Sequence, residues 1–360
     1  MRVERLRASA FRCYARLEIE FGDGVTAVVG PNGAGKTSLL EAVHFGCLGW
    51  SPRTTDESRL VAEGEQLTRV EVGAVVEGRA TEVAVGFRPG QPKRVTVDGA
   101  RPPSLDSLTT RFPILVFTPD RLAVVKGAPA TRRAYFDRAA ARRWPAAAAA
   151  SREFARALTQ RNHLLRRVRA GVADEGALDP WDDAVATTGA ALADVRMRLV
   201  DLLEPVFGAR LESLGGSPAS PALAYKPHGP VDAEGLREAL RRRRRRDIER
   251  ALTGAGPQLD DIVFAEARDV RSFGSQGEQR SALLALVLAE ADTLGEARGE
   301  RPLLLLDDVA SELDRERRAR LLEALSAPGQ TILTTTQGDE LAASVSRTIG
   351  VRAGRLVEAA

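Results

Sequence analysis

The eight residues Gly30-Pro31-Asn32-Gly33-Ala34-Gly35-Lys36-Thr37 constrain this chain more than any other stretch. They follow Val25–Val29, a short apolar run of the buried-strand kind, and lead into Lys36–Leu48, which reads as a helix. A strand that breaks through glycines into a helix presents backbone N–H groups at the positive end of the helix dipole, which is a seat for phosphate. Each residue type has a task there. The glycines let the N–H groups curl around α- and β-phosphates, Lys36 reaches the β- and γ-phosphates, and the Thr37 hydroxyl is placed to ligate Mg²⁺.

Such a loop needs an acidic partner, and Leu303–Asp308 (LLLLDD) supplies one. Four apolar residues predict a buried strand whose end projects Asp307 beside the phosphate loop. Asp307 can hold Mg²⁺ through water, and Asp308 can orient an attacking water. A second glycine-bearing loop, SFGSQGEQ, runs into the apolar, helix-forming stretch that ends at Ala291. Two phosphate-type loops in one chain pose a question that the residues alone leave open.

Around these motifs the pattern is α/β, split by a helical part. Tyr14–Gly30 reads as two strands separated by Gly22-Asp23-Gly24. Val70–Phe87 alternates with period two and breaks near Gly78, and Arg94–Val97 ends in the hairpin dipeptide Asp98-Gly99, so an antiparallel meander is expected. Phe112–Phe117 is one more buried strand. After Pro129 the spacing turns helical. Trp181, Val185, Thr188, Leu192, Val195, Leu199 and Leu202 step by four and three, and Phe154, Leu158 and Leu165 mark a partner helix upstream. A projecting antiparallel arm and an ordinary core-packing pair both fit. Gly215–Pro230 reads as a loop, followed by a helix carrying six successive arginines, Arg241–Arg246. Successive helical residues point almost all the way round the axis, so some of these must face the protein or a partner. Asp260 onward returns to α/β, with a helix Arg315–Leu325 and a strand Thr331–Thr336. The head is therefore expected from 1–126 and 258–360, with a helical insertion at 127–257.

Composition narrows the class. The 360 residues are 44% apolar and 28% charged with a formal net charge of +3, which suits a soluble globular chain of one large or two ordinary domains. The basic residues are nearly all Arg, the lysines being Lys36, Lys93, Lys126 and Lys226. Arginine's fork suits phosphate, and a GC-rich genome gives the same bias. Cys13 and Cys47 make neither a disulfide framework nor a metal spacing. The N-terminus carries charges throughout, with no signal-peptide core, and no run nears the roughly 20 apolar residues of a membrane span. A cytoplasmic protein without membrane contact is expected.

The ordered motifs resemble the ABC-type ATPases, and more finely the RecF family in their SMC-like branch. Four stretches carry the likeness: Phe11–Tyr14 with Gly30–Thr54, Pro119–Asp137, Ser275–Ala291, and Leu303–Asp314 with Ser311 and Asp314 in its D-loop. Pro119–Asp137 is the most specific, since ABC ATPases in general lack it. The resemblance implies an ABC-type P-loop ATPase head with an antiparallel β-subdomain and an inserted helical domain. It implies ATP and Mg²⁺ as cofactors, with Arg12 and Ser38 joining the loop at the nucleotide. It also answers the question of the second loop: Ser275, Gly277 and Gln279 would meet the γ-phosphate held by Lys36 of another copy, closing an ATP-dependent homodimer around two nucleotides. Its implied function is ATP-controlled binding of single- and double-stranded DNA at gaps and gap junctions in recombinational repair. RecO and RecR would be partners in placing RecA, and slow hydrolysis would act as release.

The chain departs from the family pattern in places. Gly256–Asp261 reads GPQLDD where the family has Gly-Pro-His-Arg-Asp-Asp, Glu278 stands where Gln is more usual, and Thr336 stands where transporters have a switch His. The helical insert, the missing His and Pro119–Asp137 argue against a transporter ATPase subunit. The absence of long heptad arms argues against an SMC-like tether.

Overall fold

The computed structural model describes residues 1–215, 222–265, 275–309, 315–336 and 345–357. The D-loop pair Ser311 and Asp314 and the start of the second glycine loop lie outside them. Two compact units emerge: Met1–Arg121 with Glu212–Gly216 and Leu283–Ala360, and Leu122–Leu211 with Ser217–Ala282.

In the first unit the chain runs β1 (Arg2–Phe11), β2 (Tyr14–Glu20), β3 (Val25–Val29), α1 (Lys36–Leu48), β4 (Thr68–Val76), β5 (Arg79–Phe87), β6 (Arg94–Val97), α2 (Leu105–Arg111) and β7 (Ile114–Phe117). An antiparallel sheet of order β2-β1-β4-β5-β6 is the expected meander, joined by a strand that the sequence pattern does not announce. β1 buries Val3, Leu6 and Ala8 and leaves Arg2, Arg5 and Arg7 on its wetter face, with a register shift between Val3 and Arg5 that breaks its alternation. Asp98-Gly99 turns only far enough for Val97 to bridge Ala100, so β6 pairs with β5 alone and ends the sheet as an edge strand.

The second sheet collects strands from both ends of the sequence. Its order ends in β3, β11 (Thr331–Thr335), β10 (Leu303–Leu306) and β7, with β12 (Arg347–Arg352) and β13 (Arg355–Val357) beyond β3. β3, β11, β10, β7 and β12 are parallel, and Leu303–Leu306 is buried throughout, as a strand covered on both faces must be. Helix α1 packs between the sheets. Gly46 lies so close to the first sheet that an added Cβ would come within 2.5 Å of Val72. Gln330 ties the two sheets together: its Oε1 accepts from the Val3 N–H at 2.7 Å, and its Nε2 donates to the Val3 and Gly22 carbonyls.

The second unit holds α3 (Ala123–Lys126), α4 (Pro129–Arg143), α5 (Ala147–Arg169), most of α6 (Asp179–Ser213), β8 (Ala222–Lys226), α7 (Ala233–Arg250) and β9 (Asp261–Ala265). The spacing that suggested a two-helix seam is only half of what α6 buries. Trp181, Thr188, Val195 and Leu202 are half-exposed, and Ala186, Ala193 and Val200 are buried instead. A third helix accounts for Ala186: Leu236, Ala239 and Leu240 of α7 share one core with it and with Phe154, Ala157, Val185 and Leu192. The helical part thus buries a core of its own. The Gly/Pro-rich segment read as a loop contains β8, whose partner is β9 in antiparallel register, so the chain does not rejoin the nucleotide sheet at Asp260. Asp260 and Asp261 of the altered GPQLDD segment serve arginines. Asp261 takes the Arg132 fork at 2.7 and 2.8 Å, and the Asp260 carbonyl accepts from Arg133.

Candidate functional site

The phosphate loop is shaped by what crowds it. Gly30 closes β3 by donating to the Thr335 carbonyl, and a Cβ there would sit 2.1 Å from the Val351 carbonyl oxygen. Gly35 stands at φ 116°, and a Cβ there would meet the Cys13 sulfur at 2.8 Å and the Tyr14 hydroxyl oxygen at 2.9 Å. Only glycine fits either position. Tyr14 donates its hydroxyl to the Gly35 carbonyl, and burial pushes its pKa well up, so it stays a donor. With glycine as cap and no capping side chain, the first turn of α1 keeps its N–H groups open.

Lys36 is buried and folded back on its own loop. Its ammonium donates to the Gly30 carbonyl at 2.6 Å and the Pro31 carbonyl at 2.9 Å. Those oxygens stand in for phosphate oxygens. Burial lowers its pKa, and the nearby Asp308 and Asp307 charges pull against that. Below the loop, one oxygen of Asp307 accepts from the Thr37 hydroxyl at 2.9 Å and from the Thr334 hydroxyl at 2.8 Å. Burial holds the Asp307 carboxyl above its ordinary range, opposed by those two hydroxyls and by Arg53. A threonine hydroxyl beside a buried carboxylate is a set of hard oxygen donors, and it fits Mg²⁺.

Asp308 adds an observation that no pattern announces. It sits at φ 50°, a left-handed conformation unfavourable for a residue with a side chain, while its N–H donates to Thr334 Oγ1 at 2.8 Å. Strain of this kind is held only where the surroundings fix it, and it collects at functional sites. Asn32, Gly33, Gly35, Lys36, Thr37, Ser38, Asp307 and Asp308 line one cavity of about 410 Å³. Pro31 and Gly30 hold the lysine from behind, and Ala34 is buried beneath, its carbonyl accepting from Gly354.

Arg12 is placed differently. Also at positive φ, 54°, it grips the buried Glu41 of α1 with two hydrogen bonds of 2.8 and 2.7 Å and is not part of the cavity wall. Glu41 is a hub. It also accepts from Ser51 and from Arg53, and Arg53 does line the cavity. Arg53, Thr334 and Cys13 line the cavity from three other segments and Glu41 stands behind it on α1, and none of the four belongs to the GPNGAGKT or LLLLDD motif.

Ser275, Gly277 and Gln279 belong to the second unit, at the start of the helix Gln276–Arg298. Ser275 caps that helix. Its hydroxyl accepts from the Glu278 N–H at 3.3 Å, and the Glu278 carboxylate accepts from the Ser275 N–H at 2.7 Å. This reciprocal capping box is legible as Ser-x-x-Glu, and it accounts for glutamate at 278. Gln279 is buried and Gly277 half-buried.

The RecF/RecN/SMC N terminal domain model matches residues 2–357. The chain is 39% identical over 350 residues to the DNA replication and repair protein RecF of Myxococcus xanthus, covering 94% of this chain and 91% of that one. It is 36% identical over 356 residues to the Streptomyces avermitilis protein of the same name, covering 94% of both. Among solved structures it is similar to the recombination mediator protein RecF-ATP in the RecFOR pathway, with a TM-score of 0.89, 25% identity, and coverage of 100% and 98%. It shares its fold with the Smc head domain of Pyrococcus furiosus, at TM-score 0.59, 18% identity and coverage of 99% and 96%.

Proposed function

This chain belongs to the RecF/RecN/SMC family and, within it, to the RecF proteins, and we propose that it is an ATP-dependent DNA-binding protein of recombinational repair whose dimer is closed by ATP and opened by slow hydrolysis. The observation that carries this reading is the cluster beneath the phosphate loop: Lys36, Thr37 and Asp307 in contact distance of one cavity, with Asp308 strained beside them. Lys36 leaves the loop carbonyls for β- and γ-phosphate oxygens. The N–H groups of Gly33 and of Gly35 to Ser38 receive the phosphates, that of Ala34 being held by the Pro31 carbonyl. Thr37 and Asp307 hold Mg²⁺, which when bound offsets the charge of the phosphate oxygens. Asp308 accepts a hydrogen bond from the attacking water and aligns it. Arg12 acts through Glu41 to position α1 and Arg53. Ser275, Gly277 and Gln279 of a second copy complete the site from the other side.

In cells the protein would work in the cytoplasm at single-stranded gaps and their duplex junctions, with RecO and RecR, in placing RecA. No described helix is long and apolar enough to cross a membrane. The relatives that bear the name RecF, one of them solved with ATP, support this reading.

Sedimentation velocity with and without ATP and a gapped duplex tests it. ATP should shift the full chain from monomer to dimer. Asp308→Asn should keep ATP binding and dimerisation, abolish turnover, and stay on DNA. Parental turnover in Asp308→Asn, or parental release from DNA, would remove both the role of Asp308 and the switch.

A further inference from the structure

The six successive arginines of α7 do not share one environment, and the helix sorts them into two flanks. On one flank carboxylates answer the charge. Arg237 pairs with Asp183 and Arg244 turns inward to Asp179 and Asp182, while Arg245 has only an exposed pair with Glu249 at 3.6 Å, which contributes as little as any such pair. The other flank is the stripe Arg242, Arg246 and Arg250, spaced four apart on a 3.6-residue turn. Arg242 has Glu238 at 3.0 Å, in an exposed pair of the kind that contributes little. Arg246 and Arg250 have no carboxylate partner among the described residues, and both are exposed.

At the head of that stripe the structure forms a pocket of about 260 Å³. Arg242 and Arg243 wall one side, Gly254, Ala255 and Gly256 another, and His228 stands at a third. The Arg243 Nε is buried without a hydrogen-bond partner, and the nearest carboxylate, Asp247, is 4.0 Å away. Asp247 is itself committed to Arg161 at 2.9 Å and to the Gly254 N–H at 3.1 Å. The backbone N–H groups of Ala255 and Gly256 have no acceptor among the described residues. Gly256 is at φ 124°, a conformation that residues with a side chain rarely adopt, and it packs beside the Gln258 amide. Successive unpaired N–H groups beside a guanidinium with a spare donor form an anion cradle, and arginine's fork suits phosphate.

We propose that this flank, from the Gly254–Gly256 pocket along Arg242, Arg246 and Arg250, is the track on which the second unit seats a nucleic-acid backbone, one phosphate entering the pocket against Arg243. The proposal rests on the DNA-binding reading above and adds where the strand lies. The glycine-bounded cradle fixes register and the exposed stripe follows the backbone, so contacts are to phosphate and tolerant of sequence.

The test uses the full chain and a fluorescent 30-nucleotide single strand, with anisotropy read from low to high potassium chloride. Arg246→Gln/Arg250→Gln should weaken binding about tenfold at low salt and flatten the slope of log affinity against log salt by about one to two, as expected for losing one or two phosphate contacts. Arg241→Gln/Arg245→Gln removes the same charge from the opposite flank and should change affinity less than twofold. Arg243→Gln should weaken DNA binding about fivefold while its affinity for ATP stays parental. Equal losses from the two flanks would mean diffuse attraction and overturn the track. A parental salt slope in Arg246→Gln/Arg250→Gln would do the same. Loss of ATP affinity in Arg243→Gln would assign the pocket to nucleotide and overturn it as a strand site. Failure of the parental protein to bind DNA at all would instead remove the DNA-binding reading itself.

Discussion

Two helices in this molecule begin at glycine-bearing loops, and they begin in opposite ways. The helix Lys36–Leu48 starts from Gly35 with no capping side chain and no acidic residue in its first turn, so its free N–H groups face an open cavity with a lysine at hand. The helix Gln276–Arg298 starts from Ser275, whose hydroxyl and N–H are both engaged by Glu278, an acid placed at the helix's positive end. The first is built to accept an anion and is incomplete without one. The second is satisfied by its own side chains, and for it a phosphate is a competitor to Glu278. On the function proposed above, the first would bind phosphate alone and the second would engage only when another copy brings the phosphate to it, the division of labour that a nucleotide held between two copies would require.

The comparison can be broken most sharply at Lys36. Lys36→Met takes away the only side-chain cation among the described residues that donates to the Gly30 and Pro31 carbonyls, and ATP affinity in equilibrium binding should fall about a hundredfold or more, on the order of 3 kcal/mol. A fall below tenfold would mean that the open helix start alone holds the phosphates. At the other helix, Ser275→Arg should leave the monomer's ATP affinity within about twofold while weakening ATP-dependent dimerisation at least tenfold by sedimentation, with loss of the cap costing about 1 kcal/mol in stability. Normal dimers in that variant would leave the second loop without a role in assembly.

A smaller effect concerns Asp307. Burial raises its folded-state pKa above the ordinary 3.8, so the folded state holds that proton more tightly than the unfolded chain. The stability this contributes is present below the unfolded value and is lost as pH rises through the folded one. Without nucleotide or metal, Asp307→Asn keeps an acceptor for Thr37 and Thr334 and removes the buried charge. It should melt higher than the parent at pH 8, by on the order of 1 kcal/mol, with less gain at pH 5. An equal or lower melting temperature at pH 8 would show that the cluster tolerates the bare carboxylate. The smallest effect is expected at Glu278. Glu278→Gln keeps a side chain able to complete the capping box but removes the acid. ATP-dependent dimers should tighten by about two- to fivefold with melting unchanged, and weaker dimers would contradict the competition described above.

What the sequence makes legible here is what is local. The phosphate loop, α1 and the four-leucine strand are each specified by neighbours in the chain, and the meander shows through its period-two alternation. β8 is hidden because its pairing depends on β9, some forty residues on, while its own surroundings are rich in Gly and Pro. β1 is hidden because arginines and a register shift blur its alternation. The seam of α6 is misjudged for a similar reason: a helix's buried width is set by how many helices touch it, and α7 comes from a later segment. Within the candidate site, Lys36, Thr37 and Asp307 can be placed from motif order. The Arg12–Glu41–Arg53 linkage cannot, since its members matter only once folding has brought three segments together.

The nucleotide sheet also sets a schedule. β3, which delivers the phosphate loop, is flanked by β11 and β12, strands made about 300 residues later. While the ribosome adds the roughly 300 residues between them, a matter of tens of seconds at about 5–20 residues per second, β3 has neither parallel neighbour. Long-range pairing of this kind closes late. The loop should therefore stay incompetent for ATP until β11 and β12 have emerged, so that a chain lacking them cannot capture nucleotide. Nascent chains stalled before Thr331 should be cut readily by protease near Lys36, and chains extended past Arg352 should resist. Protection before Thr331 has emerged would show that the first sheet alone can hold β3 in place.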